Sequence, residues 1–276
     1  MAVNDPVLVT GCSSGIGLAT ANVLLARGHT VYATARRLET LHDLARAGAR
    51  ILEVDVTDEA SMRAAVEAIE HEHGAVGALV NNAGYGVYGP VEEVDLAAVR
   101  DQFETNVFGL GRLCQLVLPG MRRAGKGRIV NVSSMGGRLV YPTGGWYHAS
   151  KYAVEALSDA LRMEVRPFGV DVVLVEPGII RTGFGGTASH GLAAGEEGSA
   201  YGGLRSFADE LMTKAYASRA AAGPDVVADA VVRAVETSRP RPRYVVTAAA
   251  RLQVHTRRLA GDRVWDAMMR QVYRLR

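Results

Sequence analysis

Tyr147 and Lys151 stand four residues apart in the stretch Trp146-Tyr147-His148-Ala149-Ser150-Lys151, which opens a helical pattern running to about Pro167. That spacing puts two side chains on one helix face, about 40° apart around the axis and about 6 Å apart along it. A phenol is a poor acid or base near neutral pH, and a neighbouring ammonium lowers its pKa by favouring the phenolate. Such a pair can pass a proton to or from an alcohol or carbonyl oxygen. As an isolated pattern, Tyr-x-x-x-Lys is more often two inert helix residues, so the surrounding chain has to decide.

Short apolar runs alternate with helix-period segments from the start: Val7–Val9, Thr30–Ala33, Ile51–Val54, Ala78–Val80, Arg128–Val132, Val170–Val175 and Tyr244–Val246. Near-continuous apolar strands separated by helices imply a parallel sheet covered on both faces. The expected fold is therefore a doubly wound, Rossmann-type α/β domain of about seven strands, one domain over residues 1–276. Gly28, Gly48, Gly74, Gly125 and Gly169 each follow a helical pattern, where a left-handed C-cap favours glycine. One long helix is expected from about Asp95 to Ala124. The long interruption from Thr182 to Gly223 is rich in Gly, Ala and Ser and reads as a mobile insertion over a site, or as a plain flexible loop.

The first strand runs into Thr10-Gly11-Cys12-Ser13-Ser14-Gly15-Ile16-Gly17, ahead of a helical run. Glycines admit close backbone approach, and a helix N-terminus offers free N–H groups to a pyrophosphate, so Gly11 to Gly17 reads as a dinucleotide loop with altered glycine spacing. A dinucleotide fold usually places an acid at the end of its second strand to hold the ribose hydroxyls. Here that place reads Ala35-Arg36-Arg37, with no carboxylate before Glu39. Guanidinium pairs with a 2′-phosphate, so the arginines select NADP(H), Arg36 ahead of Arg37 because it lies nearer the strand end. The alternative is two solvent-facing charges.

Length and composition restrict the function classes. Net charge is +2, which gives no global field for nucleic acid, and Cys12 and Cys114 are too few for a disulfide framework. No Cys/His cluster has metal-ligand spacing, so no metal is expected. The sequence has neither a signal pattern nor an apolar stretch long enough to cross a bilayer, and a cytoplasmic protein is expected. Positive charge gathers at the end: residues 251–276 hold seven arginines and two aspartates among Leu, Val, Met and Trp265. This basic segment reads as a terminal helix packing on its own domain, with contact to a membrane or partner as the rarer alternative.

In their order and spacing these pieces resemble the short-chain dehydrogenase/reductase family over nearly the whole chain. They are Thr10-Gly11-x-x-x-Gly15-Ile16-Gly17, Asp55, Asn81-Asn82-Ala83-Gly84, Asn106, Ser134, Tyr147-x-x-x-Lys151 and Pro177-Gly178. Gly11-Cys12-Ser13-Ser14-Gly15-Ile16-Gly17-Leu18 and Val31-Tyr32-Ala33-Thr34 are most similar to the branch resembling 17β-hydroxysteroid dehydrogenases. The resemblance implies that Asp55 bonds the adenine amino group, supported by the Val56 backbone, and that Asn82, Ala83 and Gly84 lie beside the adenosine ribose. It also implies that Pro177, Gly178 and Ile180 lie at the nicotinamide, with Thr182 near its carboxamide or the phosphates. Ser134, thirteen residues before Tyr147, would polarise the substrate oxygen; Ser133 is the inert neighbour. Asn106 would organise a proton relay to Lys151, although on sequence alone it reads as readily as an inert polar residue. Lys151 would tune the phenol and bond the nicotinamide ribose.

These readings together imply an NADP-dependent oxidoreductase interconverting a secondary alcohol and a ketone on an apolar, steroid-like or polyketide-like substrate. The rival is a dinucleotide-sensing binding protein on the same fold. Association into a homodimer or homotetramer is expected through Val107, Phe108, Leu110, Leu113, Ala153, Val154, Leu157, Ala160 and Leu161, more apolar surface than one buried stripe requires.

Overall fold

The computed structural model describes residues 5–186, 192 and 198–275. Seven parallel strands form one sheet: β1 (Val7–Val9), β2 (Val31–Ala35), β3 (Arg50–Glu53), β4 (Ala78–Asn81), β5 (Gly127–Val132), β6 (Val170–Pro177) and β7 (Arg243–Val246), in the order β3-β2-β1-β4-β5-β6-β7. Val7 pairs with Val31 on one side and Ala78 on the other, so β1 is an interior strand. The chain adds β2 and β3 on one side of β1 and then β4 to β7 on the other, and in open α/β sheets that switch point opens a crevice beyond the strands' carboxyl ends.

Alternation along the strands feeds two cores. Val7 and Val9 face one side, where α1 (Gly15–Ala26) and the later helix Pro224–Glu236 pack. Leu8 faces the other, against α3 (Glu59–His73), α5 (Leu110–Ala124) and α6 (Gly145–Val165). Each fully buried Val or Leu contributes about 1.5–3 kcal/mol. The short helix α2 (His42–Arg46) precedes β3. The helix-closing glycines behave as their positions predict, with φ of 64° at Gly125 and 73° at Gly169.

Two expectations change. The helix expected from Asp95 to Ala124 is capped by the Asp95 carboxylate, which accepts from Ala97 N at 3.0 Å, and proceeds as α4 (Leu96–Phe103). It then widens into a π-turn over Glu104–Gly109 before α5. Asn106 sits inside that turn, a feature that recurs at functional sites. The 182–223 insertion, whose residues 187–191 and 193–197 lie outside the described residues, is not all loop: it carries α7 (Gly202–Ala217). Its alanines, Leu211 and Met212 are good helix formers, which outweighed the glycine and serine content around them. The helix Pro224–Glu236 is α8, and the terminal α9 (Ala248–Val272) is interrupted at Gly261, with φ 67° and ψ 179°. Among the described residues, no helix is long and apolar enough to cross a membrane.

Candidate active site

A cavity of about 1410 Å³ runs along the carboxyl ends of β1 to β6. At one end the Gly11–Gly17 loop is tied to the strand beside it. Thr10 Oγ1 accepts from Asn82 N and Ala83 N, both at 3.0 Å, and Asn82 Nδ2 donates to Thr10 O at 2.9 Å and Gly11 O at 3.2 Å. Asn82 thus does more than end a strand. Gly17 lies under this lacing: a Cβ there would collide with the Gly11 carbonyl and stand 2.6 Å from Asn82 Nδ2. Gly11, Ser13, Ser14, Gly15 and Ile16 line the cavity, and the Ser14 side chain leaves the first turn of α1 uncapped, with no acid in that turn. Free amide donors and a positive dipole end therefore face the space.

Next along the rim come Arg36, Asp55, Val56, Asn82, Ala83 and Gly84. Asp55 Oδ1 is fixed by Thr57, accepting from its N at 2.9 Å and its Oγ1 at 2.8 Å. The two arginines separate. Arg36 lines the cavity, whereas Arg37 does not; its Nε lies 3.7 Å from Glu39 and both side chains are exposed. Extended backbone at Arg37 (φ −135°, ψ 114°) sends neighbouring side chains to opposite sides, so the pair expected from sequence reduces to Arg36.

At the other end, Ser134, Tyr147 and Lys151 converge, with Pro177, Gly178, Ile180 and Thr182 across from them. The Ser134 hydroxyl accepts from Gly136 N at 3.0 Å, and its interaction with Tyr147 favours the phenolate. Burial pushes the phenol pKa up, and Ser134 is the group that offsets it. Burial outweighs any lowering by Lys151, so the phenol pKa stands above its ordinary value. The Lys151 amine instead donates to Val132 O at 3.0 Å. Burial also brings the ammonium pKa down to about 8, with Glu155 opposing. A desolvated ammonium and a desolvated phenol are each driven toward neutrality, which competes with their mutual stabilisation.

Asn106 has a clear structural task. Its Oδ1 accepts from Tyr85 N at 3.0 Å, and its Nδ2 donates to Tyr85 O at 2.8 Å and Ser150 Oγ at 3.1 Å. Buried, it joins the loop after β4 to α6 one residue before Lys151.

A family model described as short chain dehydrogenase matches residues 5–192. The chain belongs to the short-chain dehydrogenase family. It is 37% identical over 257 residues to human 17-beta-hydroxysteroid dehydrogenase type 1, covering 87% of this chain and 77% of that protein. To 3-ketodihydrosphingosine reductase of Bacteroides thetaiotaomicron it is 46% identical over 179 residues, 64% of this chain and 65% of that one. A solved short-chain dehydrogenase from Streptomyces avermitilis superposes with TM-score 0.81 at 35% identity, covering 99% of this chain and 98% of that chain. This short-chain dehydrogenase is an oxidoreductase acting on CH–OH groups.

Several residues of the dehydrogenase site escape a motif search. Tyr88 and Phe184 pack on Tyr147, with ring centroids 5.3 and 5.4 Å away. His148 accepts at Nε2 from Tyr141 N (3.2 Å), so Nδ1–H donates to Gly136 O (2.9 Å), fastening the loop after Ser134 to α6. Burial lowers its pKa to about 4, which keeps the ring neutral at pH 7. Behind Lys151, Glu155 and the fully buried Glu176 share Arg243, at 3.0 and 3.1 Å, and Arg138 lies 3.2 Å from Glu176. Glu176 carried a signal in sequence: a carboxylate deep in an apolar strand covered on both faces needs a cation partner.

The glycine cradle, the uncapped helix start and Arg36 fit a nicotinamide dinucleotide. Gly17→Ala is expected to abolish its binding, because the methyl collides with backbone that the Thr10–Asn82 lacing prevents from yielding. Titration calorimetry checks this; an unchanged affinity would show that the loop does not form the site.

Proposed function

We propose that this dehydrogenase uses NADP(H) to interconvert a ketone and a secondary alcohol on an apolar substrate. One observation carries the reading: a single cavity joins Arg36 and the glycine loop at one end to Ser134, Tyr147 and Lys151 at the other. Bound NADPH supplies the hydride. Gly11, Ser13, Ser14, Gly15, Ile16 and Gly17 hold its pyrophosphate, Arg36 the 2′-phosphate, Asp55 and Val56 the adenine, and Asn82, Ala83 and Gly84 the adenosine ribose. Pro177, Gly178, Ile180 and Thr182 serve the nicotinamide end.

Ser134 holds the substrate oxygen by hydrogen bonding as negative charge builds on it. Tyr147, kept protonated by burial, gives its proton to that oxygen in reduction and takes it back in oxidation. Lys151, while charged, stabilises the phenolate left behind, and Asn106 holds the Tyr85 loop and α6 in register. Aromatic walls of Tyr88, Phe184, Tyr141 and Trp265 favour an apolar body on the substrate. The rival reading as a dinucleotide sensor leaves the convergence of Ser134, Tyr147 and Lys151 without a use.

Cofactor choice is tested at Arg36. A hydrogen bond to a charged group contributes about 1.5–3 kcal/mol, about ten- to a hundredfold in affinity. Arg36→Ala is therefore expected to weaken NADPH by about that factor and to leave NADH nearly unchanged; equal weakening of both would remove the 2′-phosphate assignment. Since Arg37 faces Glu39 outside the cavity, Arg37→Ala should change neither.

Lys151 predicts a pH profile. Its charged form is present below about pH 8 and is lost above, so the kcat for ketone reduction should fall as pH rises through about 8. A rate constant flat to about pH 9.5 would contradict the role given to its charge.

The chain is further proposed to associate as a homodimer or homotetramer through α5 and α6. Leu110, Leu113 and Val154 are consumed by the protomer's own core, and Phe108 and Leu157 stay exposed. Phe108→Asp should yield a monomer by light scattering, from a wild type of at least twice that mass.

A further inference from the structure

The terminal helix α9 has two apolar sides, and the domain uses one of them. Trp265 is buried beside Leu139 and Val254, with Met135, Tyr141 and Met269 packed against them. The Trp265 indole donates to Val140 O at 3.3 Å. That side closes the Tyr147 end of the cavity. A second stripe, Val264, Met268 and Val272, recurs every four residues after the break at Gly261 and stays exposed. Before the break, Leu252 and Leu259 stand seven residues apart and are exposed as well, Leu259 at 84%. Leu252, Met268 and Val272 are exposed and also line the cavity, so its mouth opens on this stripe.

Charge identifies what covers the stripe. Residues 251–276 carry seven arginines against two aspartates, net +5, on a chain of net +2; the first 250 residues therefore sum to −3. Arg258, Arg263 and Arg270 are exposed around the apolar residues. Arg257 is engaged internally, paired with Asp262 at 2.5 Å and set over the Trp265 ring at 5.9 Å. An apolar stripe flanked by guanidinium groups is the pattern of a helix lying in the interface of an anionic bilayer, with apolar side chains among the acyl chains and cations at the headgroups. A second copy is the poorer occupant, because a symmetric contact sets this basic helix against itself.

We propose that the outer side of α9 docks on an anionic lipid surface, placing the cavity mouth at the membrane so that a lipid-dissolved substrate enters without crossing water. The docking stands independently of the catalytic reading; the delivery of substrate rests on it.

The test is flotation of the full-length protein with vesicles of phosphatidylcholine alone or mixed with phosphatidylglycerol. Binding is expected only to the mixed vesicles, and it should weaken as salt rises. At about fivefold per basic residue near such a surface, Arg263→Glu with Arg270→Glu should lower the partition coefficient by at least about 25-fold. Leu259→Asp with Val264→Asp, at positions outside the cavity lining, should also release the protein while NADPH affinity is retained. No binding at any phosphatidylglycerol content, or binding indifferent to both double variants, would overturn the proposal. It would also fall if light scattering showed the Leu259→Asp, Val264→Asp variant dissociating an oligomer, which would assign the stripe to a second copy. Delivery is read separately. The leucine–valine variant should lose turnover of a long-chain ketone held in mixed vesicles and keep that of a short soluble ketone; equal turnover of both would remove delivery. Vesicle binding in a protein that reduces neither ketone would remove the catalytic reading and leave the docking surface standing.

Discussion

Replacing Tyr147 with Phe is expected to leave NADPH affinity within about twofold and to cut ketone reduction by roughly 10²–10⁴-fold, the range for loss of a general acid. The ring keeps its packing against Tyr88 and Phe184, at 5.3 and 5.4 Å, so the wall of the cavity survives and only the transferable proton is removed. Stopped-flow cofactor binding together with steady-state turnover separates the two effects. Near-wild-type turnover would show that the proton comes from another group, and a parallel loss of NADPH affinity would show that the ring, not its hydroxyl, matters. Ser134→Ala should also slow the reaction, through the lost oxyanion contact and the lost support of the phenolate.

The second large effect concerns stability. Arg243 reaches Glu155, Glu176 and Asp159 at 3.0, 3.1 and 2.7 Å, and removing one partner of a buried ionic cluster typically costs about 3–5 kcal/mol. Arg243→Ala should therefore lose about that much in urea unfolding at pH 8. The loss should shrink in acid, and the sign follows from Glu176. Burial and the neighbouring Glu155 raise its pKa from 4.5 to about 7 in the folded protein. Between those values the folded state binds the extra proton, so the unfavourable contribution of Glu176 is absent below about pH 4.5 and grows as pH rises through about 7. With Arg243 gone, two carboxylates keep only Arg138 between them, and the pH dependence should steepen. A loss independent of pH from 5 to about 8 would show that packing of the arginine, not its charge, is what matters.

The sheet was legible because most strands are short apolar runs and five of them follow a helix that ends on glycine, at Gly28, Gly48, Gly74, Gly125 and Gly169, so that local pattern and tertiary burial agree. The glycine loop was legible for a related reason: Gly17 is required by close contact with backbone, a constraint that glycine alone meets. The Asn106 side chain was less so. A mid-helix Asn announces that something is unusual, yet only the folded chain brings Tyr85 and Ser150 to it across 21 and 44 residues. Arg36 and Arg37 could not be separated by type, since their difference is the direction of consecutive side chains on extended backbone. Spacing reports the proximity of Lys151 to Tyr147 but says nothing of burial, which raises the phenol pKa and lowers that of the ammonium. The apolar face of α9 is hidden for the opposite reason: one composition serves an inward and an outward stripe, and only the packing of Trp265 shows which residues the domain leaves over.

Transfer of label from cofactor to substrate tests the central claim most directly. The wild-type protein would be incubated with NADPH carrying deuterium at the reactive nicotinamide carbon and with a panel of apolar ketones, and the products read by mass spectrometry. A secondary alcohol with one deuterium on the carbinol carbon is expected from at least one ketone, faster with NADPH than with NADH, and slowed by roughly 10²–10⁴-fold with Tyr147→Phe. Tight NADPH binding with no labelled alcohol from any ketone, and no ketone formed from the corresponding alcohols with NADP, would contradict the account and favour a dinucleotide sensor.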